Sequence, residues 1–93
     1  MTDRHCNLTL SRDQWEQFIA ALGRCREPQC GKACVAIAGA LRESDADEIS
    51  MDRSVDTWLA VHNPAFSRAK PSEMAMFNRM ICQLSAAKFT QAW

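Results

Sequence analysis

The sequence lacks most of what marks a catalytic or nucleic-acid-binding protein. Neither charge is in excess, since 11 Lys and Arg stand against 11 Asp and Glu. Affinity for nucleic acid comes largely from basic side chains displacing counterions, so this balance argues against a dedicated binder. Glycine is scarce: Gly23, Gly31 and Gly39 all fall in helical context, and no glycine-rich phosphate loop exists. Histidine occurs only as His5, near one end, and His62, where a helix terminus is expected. His62 suits the negative end of a helix dipole better than general-base work. Ser11 and Ser54 are accounted for as helix caps, not nucleophiles. The longest apolar run, Ala33 to Leu41, is nine residues, where a bilayer needs about 20. The first residues are polar and charged, unlike a secretory signal. A cytoplasmic protein is the expectation.

Five cysteines are present, Cys6, Cys25, Cys30, Cys34 and Cys82, with no C-x-x-C pair among them. An odd number in a reducing compartment argues against a disulfide framework. Cys6, Cys25, Cys30 and Cys34, with His5 beside the first, form the one metal-like constellation. Zinc takes four N or S ligands in a tetrahedron, and these spacings do not match its usual knuckles. Free cysteine also packs as a small hydrophobe, which is the commoner fate. Cys25 lies between Arg24 and Arg26, and nearby positive charge favours a thiolate, so a redox-sensing thiol is the alternative reading. The sequence names no resolving partner for it. No cofactor is implied.

What the sequence does contain is local structure. Cys6, Leu8 and Leu10 alternate with Asn7 and Thr9 as in a half-buried strand. Ser11 and Gln14 form a capping box, and Trp15, Phe18, Ile19 and Leu22 follow on one helical face, with Gly23 placed to end the helix in a left-handed conformation. Pro28 suits the first position of a second helix running to about Glu43. Cys30, Cys34, Ile37 and Leu41 share its apolar face. Its small residues, Gly31, Ala33, Ala36, Gly39 and Ala40, would let a neighbouring helix come close, so a central, well-covered helix is expected.

Ile49 and Met51 predict a second short strand, followed by a third helix capped by Asp52 or Ser54. Val55, Trp58, Leu59 and His62 make its apolar face, and Asn63-Pro64 is expected to end it. Residues 64–70 then read as a loop tucked in by Phe66, and Pro71 starts a long last helix. The expectation is a mostly α (α+β) single domain: a four-helix compact domain with a short two-stranded ribbon, arranged as a βαα–βαα pseudo-repeat. Residues 1–5 are expected to be disordered, 6–43 the first unit and 47–93 the second. Trp15, Phe18 and Ile19 match Val55, Trp58 and Leu59 at an offset of 40, and Cys34, Ile37, Ala38 and Leu41 match Phe77, Met80, Ile81 and Leu84 at 43. On that matching the strands differ in register by one residue and the second helix–helix connection is the longer.

The last helix has two apolar stripes. Phe77, Met80, Ile81 and Leu84 are assigned to the core, while Ala75, Cys82, Ala86, Phe89 and Trp93 gather on nearly the opposite side. The second stripe either runs through the bundle or meets another chain, small residues allowing close approach and aromatics anchoring. Residues 43–56 hold six acids against Arg53, while the chain from 57 onward holds four basic residues and one acid. Helices one and two also imitate a helix-turn-helix, with Arg24, Arg26, Lys32 and Arg42 nearby. A recognition helix presents polar and basic residues outward; this one presents alanine and glycine. The function expected is therefore a non-enzymatic protein–protein interaction module, a homodimer through the last helix that binds or inhibits a larger partner. An accessory protein of a mobile element fits the profile. A cysteine-based metal or redox protein and a helical nucleic-acid-binding regulator are the alternatives.

Overall fold

The computed structural model describes residues 4–89, with the side chains of 88 and 89 set aside. Strand β1 (His5–Ser11) leads into α1 (Arg12–Gly23), and α2 (Pro28–Arg42) follows. Strand β2 (Glu48–Ser54) leads into α3 (Val55–Phe66), then a 3-10 turn (Pro71–Glu73) and α4 (Met74–Phe89). The strands form one antiparallel two-stranded sheet with Leu8 opposite Met51. Alternation puts Cys6, Leu8, Leu10, Ile49 and Met51 on its inner face, against Trp15, Phe18, Trp58, Phe77 and Met80.

The same local chemistry starts both helices that follow a strand. Ser11 accepts from the Gln14 N–H at 3.1 Å while Gln14 Oε1 accepts from the Ser11 N–H, completing the capping box. Ser54 accepts from the Thr57 N–H at 3.1 Å. Each cap satisfies a backbone donor that the helix cannot.

These caps fix the repeat. Ser11 and Ser54, Asp13 and Asp56, Trp15 and Trp58, Pro28 and Pro71, and Leu41 and Leu84 each stand 43 residues apart. Both strands are 7 residues long and both following helices 12. The offset is thus 43 throughout, without the slack or register slip that apolar spacing suggested. Trp15 corresponds to Trp58, not to Val55. A pseudo-twofold axis passes between Leu8 and Met51, which pair with each other and are also equivalents. The hydrogen bonds obey it. Trp15 Nε1–H donates to the Ile49 carbonyl at 2.8 Å, and Trp58 Nε1–H to the Cys6 carbonyl at 3.0 Å. The Arg12 N–H donates to the Asp47 carbonyl, and the Val55 N–H to that of Arg4. Each unit therefore pins the other unit's strand with a buried indole.

Several expectations are corrected. Of the segment expected to be disordered, residues 1–3 lie outside the described residues, His5 belongs to β1, and the Arg4 carbonyl accepts from the Val55 N–H. No glycine among the described residues has a positive φ, and α1 ends with Arg24 in right-handed geometry. Helix α3 runs through Pro64 to Phe66. A proline there leaves the carbonyl four residues back without its helical donor; Gln29 Nε2 donates to that carbonyl, on Ala60, at 3.4 Å. Phe66 belongs to this helix, 44% exposed, stacked on His62 and edge-on to Phe77. Helix α2 is peripheral, with Val35 73% exposed. A Cβ built on Gly31 or Gly39 would meet nothing within 4 Å, so no element uses the room those glycines leave. Ile81, assigned to the core, lies at the surface, and Met76 is buried with Phe77, Met80 and Leu84.

Candidate functional site

The twofold relation fails between α4 and its counterpart α2, and there the surface is open. Helix α4 lies along the outer edge of β1. Gln83 there behaves like a strand residue: the Thr9 N–H donates to Gln83 Oε1 at 2.8 Å, and Gln83 Nε2 donates to the Thr9 carbonyl at 2.7 Å. Arg79 adds bonds to Gln14 and to Glu48, both at 2.8 Å. Met76 and Met80 fill the space beneath. The equivalents on α2 of Met76, Arg79 and Gln83 are Ala33, Ala36 and Ala40. None of these reaches β2.

The result is a groove of about 440 Å³ between α2, β2 and α3. Ala33, Ala36, Ile37, Met51, Trp58 and Val61 make its apolar walls, and Lys32 and Arg53 put positive charge on its rim. On the adjoining strand edge, Asp52 is the equivalent of Thr9. Its carbonyl accepts from Arg53 Nη1 at 2.7 Å. Among the described residues nothing bonds its N–H. An unpaired strand edge beside an apolar trough is what an added strand requires.

The positions singled out from the sequence separate. Ala75, Cys82 and Ala86 are exposed on the outer face of α4. The side chain of Phe89, and Trp93, lie outside the described residues. Ile81 and Met74, each 37% exposed, flank that face, and a shallow notch of about 100 Å³ lined by Val55, Leu59, Ile81 and Leu84 lies beside it.

The cysteines are not one cluster. Cys6 is buried on the sheet, its thiol donating to the Gln83 carbonyl at 3.8 Å, and burial together with Asp52 pushes its pKa up. The Cys34 thiol donates to the Ile19 carbonyl at 3.6 Å and is also raised, by burial and then by Cys25. Cys30 donates to Cys25, with the sulfurs 3.0 Å apart. Burial, and then the Cys25 contact, pushes Cys30 up to about 12. Among the described residues no three His, Cys, Asp or Glu side chains are arranged to hold a metal ion.

Two further polar groups are enclosed. Glu73 is buried against the Arg24 guanidinium and accepts from the Lys70 N–H. Burial alone would raise its pKa, but the Arg24 and Lys70 hydrogen bonds outweigh it and hold the carboxyl below its ordinary value. His62 packs between Phe66 and Phe77, with Nδ1 3.0 Å from Asn63 Oδ1. Its Nε2 is closed off from solvent without a partner, and an imidazole so placed has no approach for a substrate. Arg24 also reaches the Arg68 carbonyl, and Arg12 binds the carbonyls of Leu41 and Ser44 at the end of α2. These two arginines hold the fold together.

The groove was missed from sequence because no residue type marks it. It shows only when α2 is compared with α4 across the axis. No helix among the described residues is long and apolar enough to cross a membrane. Neither a family model, nor a curated protein, nor a solved structure matches the chain.

Proposed function

We propose that this protein is a non-enzymatic protein–protein interaction module and that the α2–β2–α3 groove is its docking site. One observation carries the reading: α4 covers the edge of β1 through Gln83, whereas Ala40 leaves the equivalent edge of β2 uncovered by α2, with no partner among the described residues for the Asp52 N–H. The occupant is an extended segment of another protein. Its backbone adds to β2, its alternate apolar side chains enter the trough, and acidic residues flank them to meet Lys32 and Arg53. The enclosed His62 and the capping roles of Ser11 and Ser54 support the non-enzymatic part.

Selection from a displayed random-peptide library tests this. The wild-type chain should enrich sequences alternating apolar residues with acidic ones. Ala36→Arg, which places the counterpart of Arg79 across the trough, should lose them. Failure to enrich any peptide, or equal enrichment by Ala36→Arg, refutes the docking site.

Self-association through α4 is a second reading, favoured by the exposed Ile81 and Met74 beside Ala75, Cys82 and Ala86. Light scattering at tens of micromolar would show a dimer that Ile81→Glu dissociates. A monomer unaffected by that change removes this reading and leaves the groove standing.

A further inference from the structure

We propose that Cys25 and Cys30 form a reversible disulfide couple, with Cys25 the attacking thiol, Cys30 the resolving thiol and a low-molecular-weight disulfide as the oxidant. The inference is independent of the groove. Its basis is placement. The two sulfurs are 3.0 Å apart, and an S–S bond is about 2.0 Å, so bond formation needs a movement of roughly 1 Å. Cys25 lies in the irregular link between α1 and α2, and Cys30 in the first turn of α2. The link can supply that movement without disturbing either helix. Access is asymmetric. Cys25 is half-buried and Cys30 is buried, so a dissolved oxidant meets Cys25 first. The other thiols are placed differently: Cys6 against Gln83, Cys34 against the Ile19 carbonyl, and Cys82 exposed on α4.

The exchange balances. Cys25 loses its proton to solvent and its thiolate attacks one sulfur of the small disulfide. A mixed disulfide forms, the small molecule's S–S bond breaks, and one small thiolate leaves and takes up a proton. Cys30, buried beside it, attacks the Cys25 sulfur and passes its proton to the departing small thiolate. The intramolecular S–S bond forms as the mixed disulfide breaks, and the second small thiol departs. Two protein thiols are oxidised and one small disulfide is reduced to two thiols. Burial and the Cys25 contact push the Cys30 thiol up to about 12, which leaves the first attack to Cys25. The closed ring holds Arg26, Glu27, Pro28 and Gln29, and Gln29 bonds the Ala60 carbonyl across the end of the groove.

The test uses the full reduced chain and glutathione disulfide. Trypsin separates all three neighbouring thiols, because Arg26 lies between Cys25 and Cys30 and Lys32 between Cys30 and Cys34. Oxidised wild type should yield residues 25–26 linked to residues 27–32, two hydrogens lighter than the two peptides together and free of glutathione, whatever the exposed Cys82 carries. Dithiothreitol should reverse the link. Cys30→Ser should instead stop at a glutathione adduct on Cys25, and Cys34→Ala should oxidise like wild type. A link that maps to Cys34, a stable adduct on Cys25 of the wild type, or no reaction at Cys25 overturns the proposal. The wild-type peptide map decides the matter even if a variant folds poorly.

Discussion

The reciprocal tryptophan bonds give the sharpest prediction. Trp58→Phe keeps an aromatic ring in the core but removes the donor to the Cys6 carbonyl. The Cys6 carbonyl keeps its place in the ladder opposite Arg53, so losing the indole bond costs about 1 kcal/mol. The smaller ring also leaves a partial cavity, adding about 1 kcal/mol at roughly 24 cal/mol per Å³. The expected loss is about 2 kcal/mol, a fall in Tm of roughly 8–16 °C for a chain of this size. Trp15→Phe, which strips the donor from the Ile49 carbonyl at 2.8 Å, should cost a similar amount. Urea unfolding followed by far-UV circular dichroism is the assay, since fluorescence is itself altered by the substitutions. The indole rings lie 5.8 Å apart and share one core. The double variant should therefore depart from additivity by about 0.5 kcal/mol or more. A loss below about 0.5 kcal/mol for either variant, within the range of an ordinary surface change, would refute the claim that each unit is pinned by the other's indole. So would one costly variant paired with one neutral one.

Three further outcomes follow from the same structure. Gly31→Ala and Gly39→Ala should each stabilise the protein by about 0.5–1 kcal/mol in the same assay, because the space at both positions is open. Gln83→Ala should cost about 1–2 kcal/mol through its two bonds to Thr9 and should speed hydrogen exchange at the Thr9 amide, measured by NMR. Because the Glu73 carboxyl is held below its ordinary value of 4.5, its contribution is full above that value and is lost as pH falls through the lowered one. Unfolding free energy should thus decline below about pH 5, and Glu73→Gln should flatten that slope while lowering stability at neutral pH.

Much of the fold is legible because it is set by neighbours in sequence. The capping box of Ser11 and Gln14, the alternation through Leu8 and Leu10, and the prolines at 28 and 71 each act within a few residues. The repeat was legible in kind but not in alignment. Matching by apolar spacing set Trp15 against Val55, because many positions on an amphipathic helix are apolar. The shared Ser-x-Asp-x-Trp of residues 11–15 and 54–58 would have fixed the offset. Pro64 inside α3 was not legible, since the carbonyl it frees, on Ala60, is met by Gln29, 31 residues from that carbonyl. Nor was the Cys25–Cys30 contact, which follows from how the link folds back on α2.

The asymmetry between the halves also explains why two such similar units remain one chain with one groove. Each helix following a strand crosses to bond the other unit's strand, so neither unit could complete its own core. A pair of first units would still satisfy the indoles. It would, however, set Cys30 where Glu73 stands, leaving the partly buried Arg24 guanidinium without its carboxylate at both ends. A partly buried charge that loses its partner costs stability. A pair of second units would place Ser67 and Glu73 together, burying a carboxylate without its guanidinium. The Arg24–Glu73 bond thus favours the mixed pairing over either like pairing. In that mixed pairing α4, with Met76, Arg79 and Gln83, closes one sheet edge, while α2, with three alanines, leaves the other open. One unit supplies closure and the other supplies the groove.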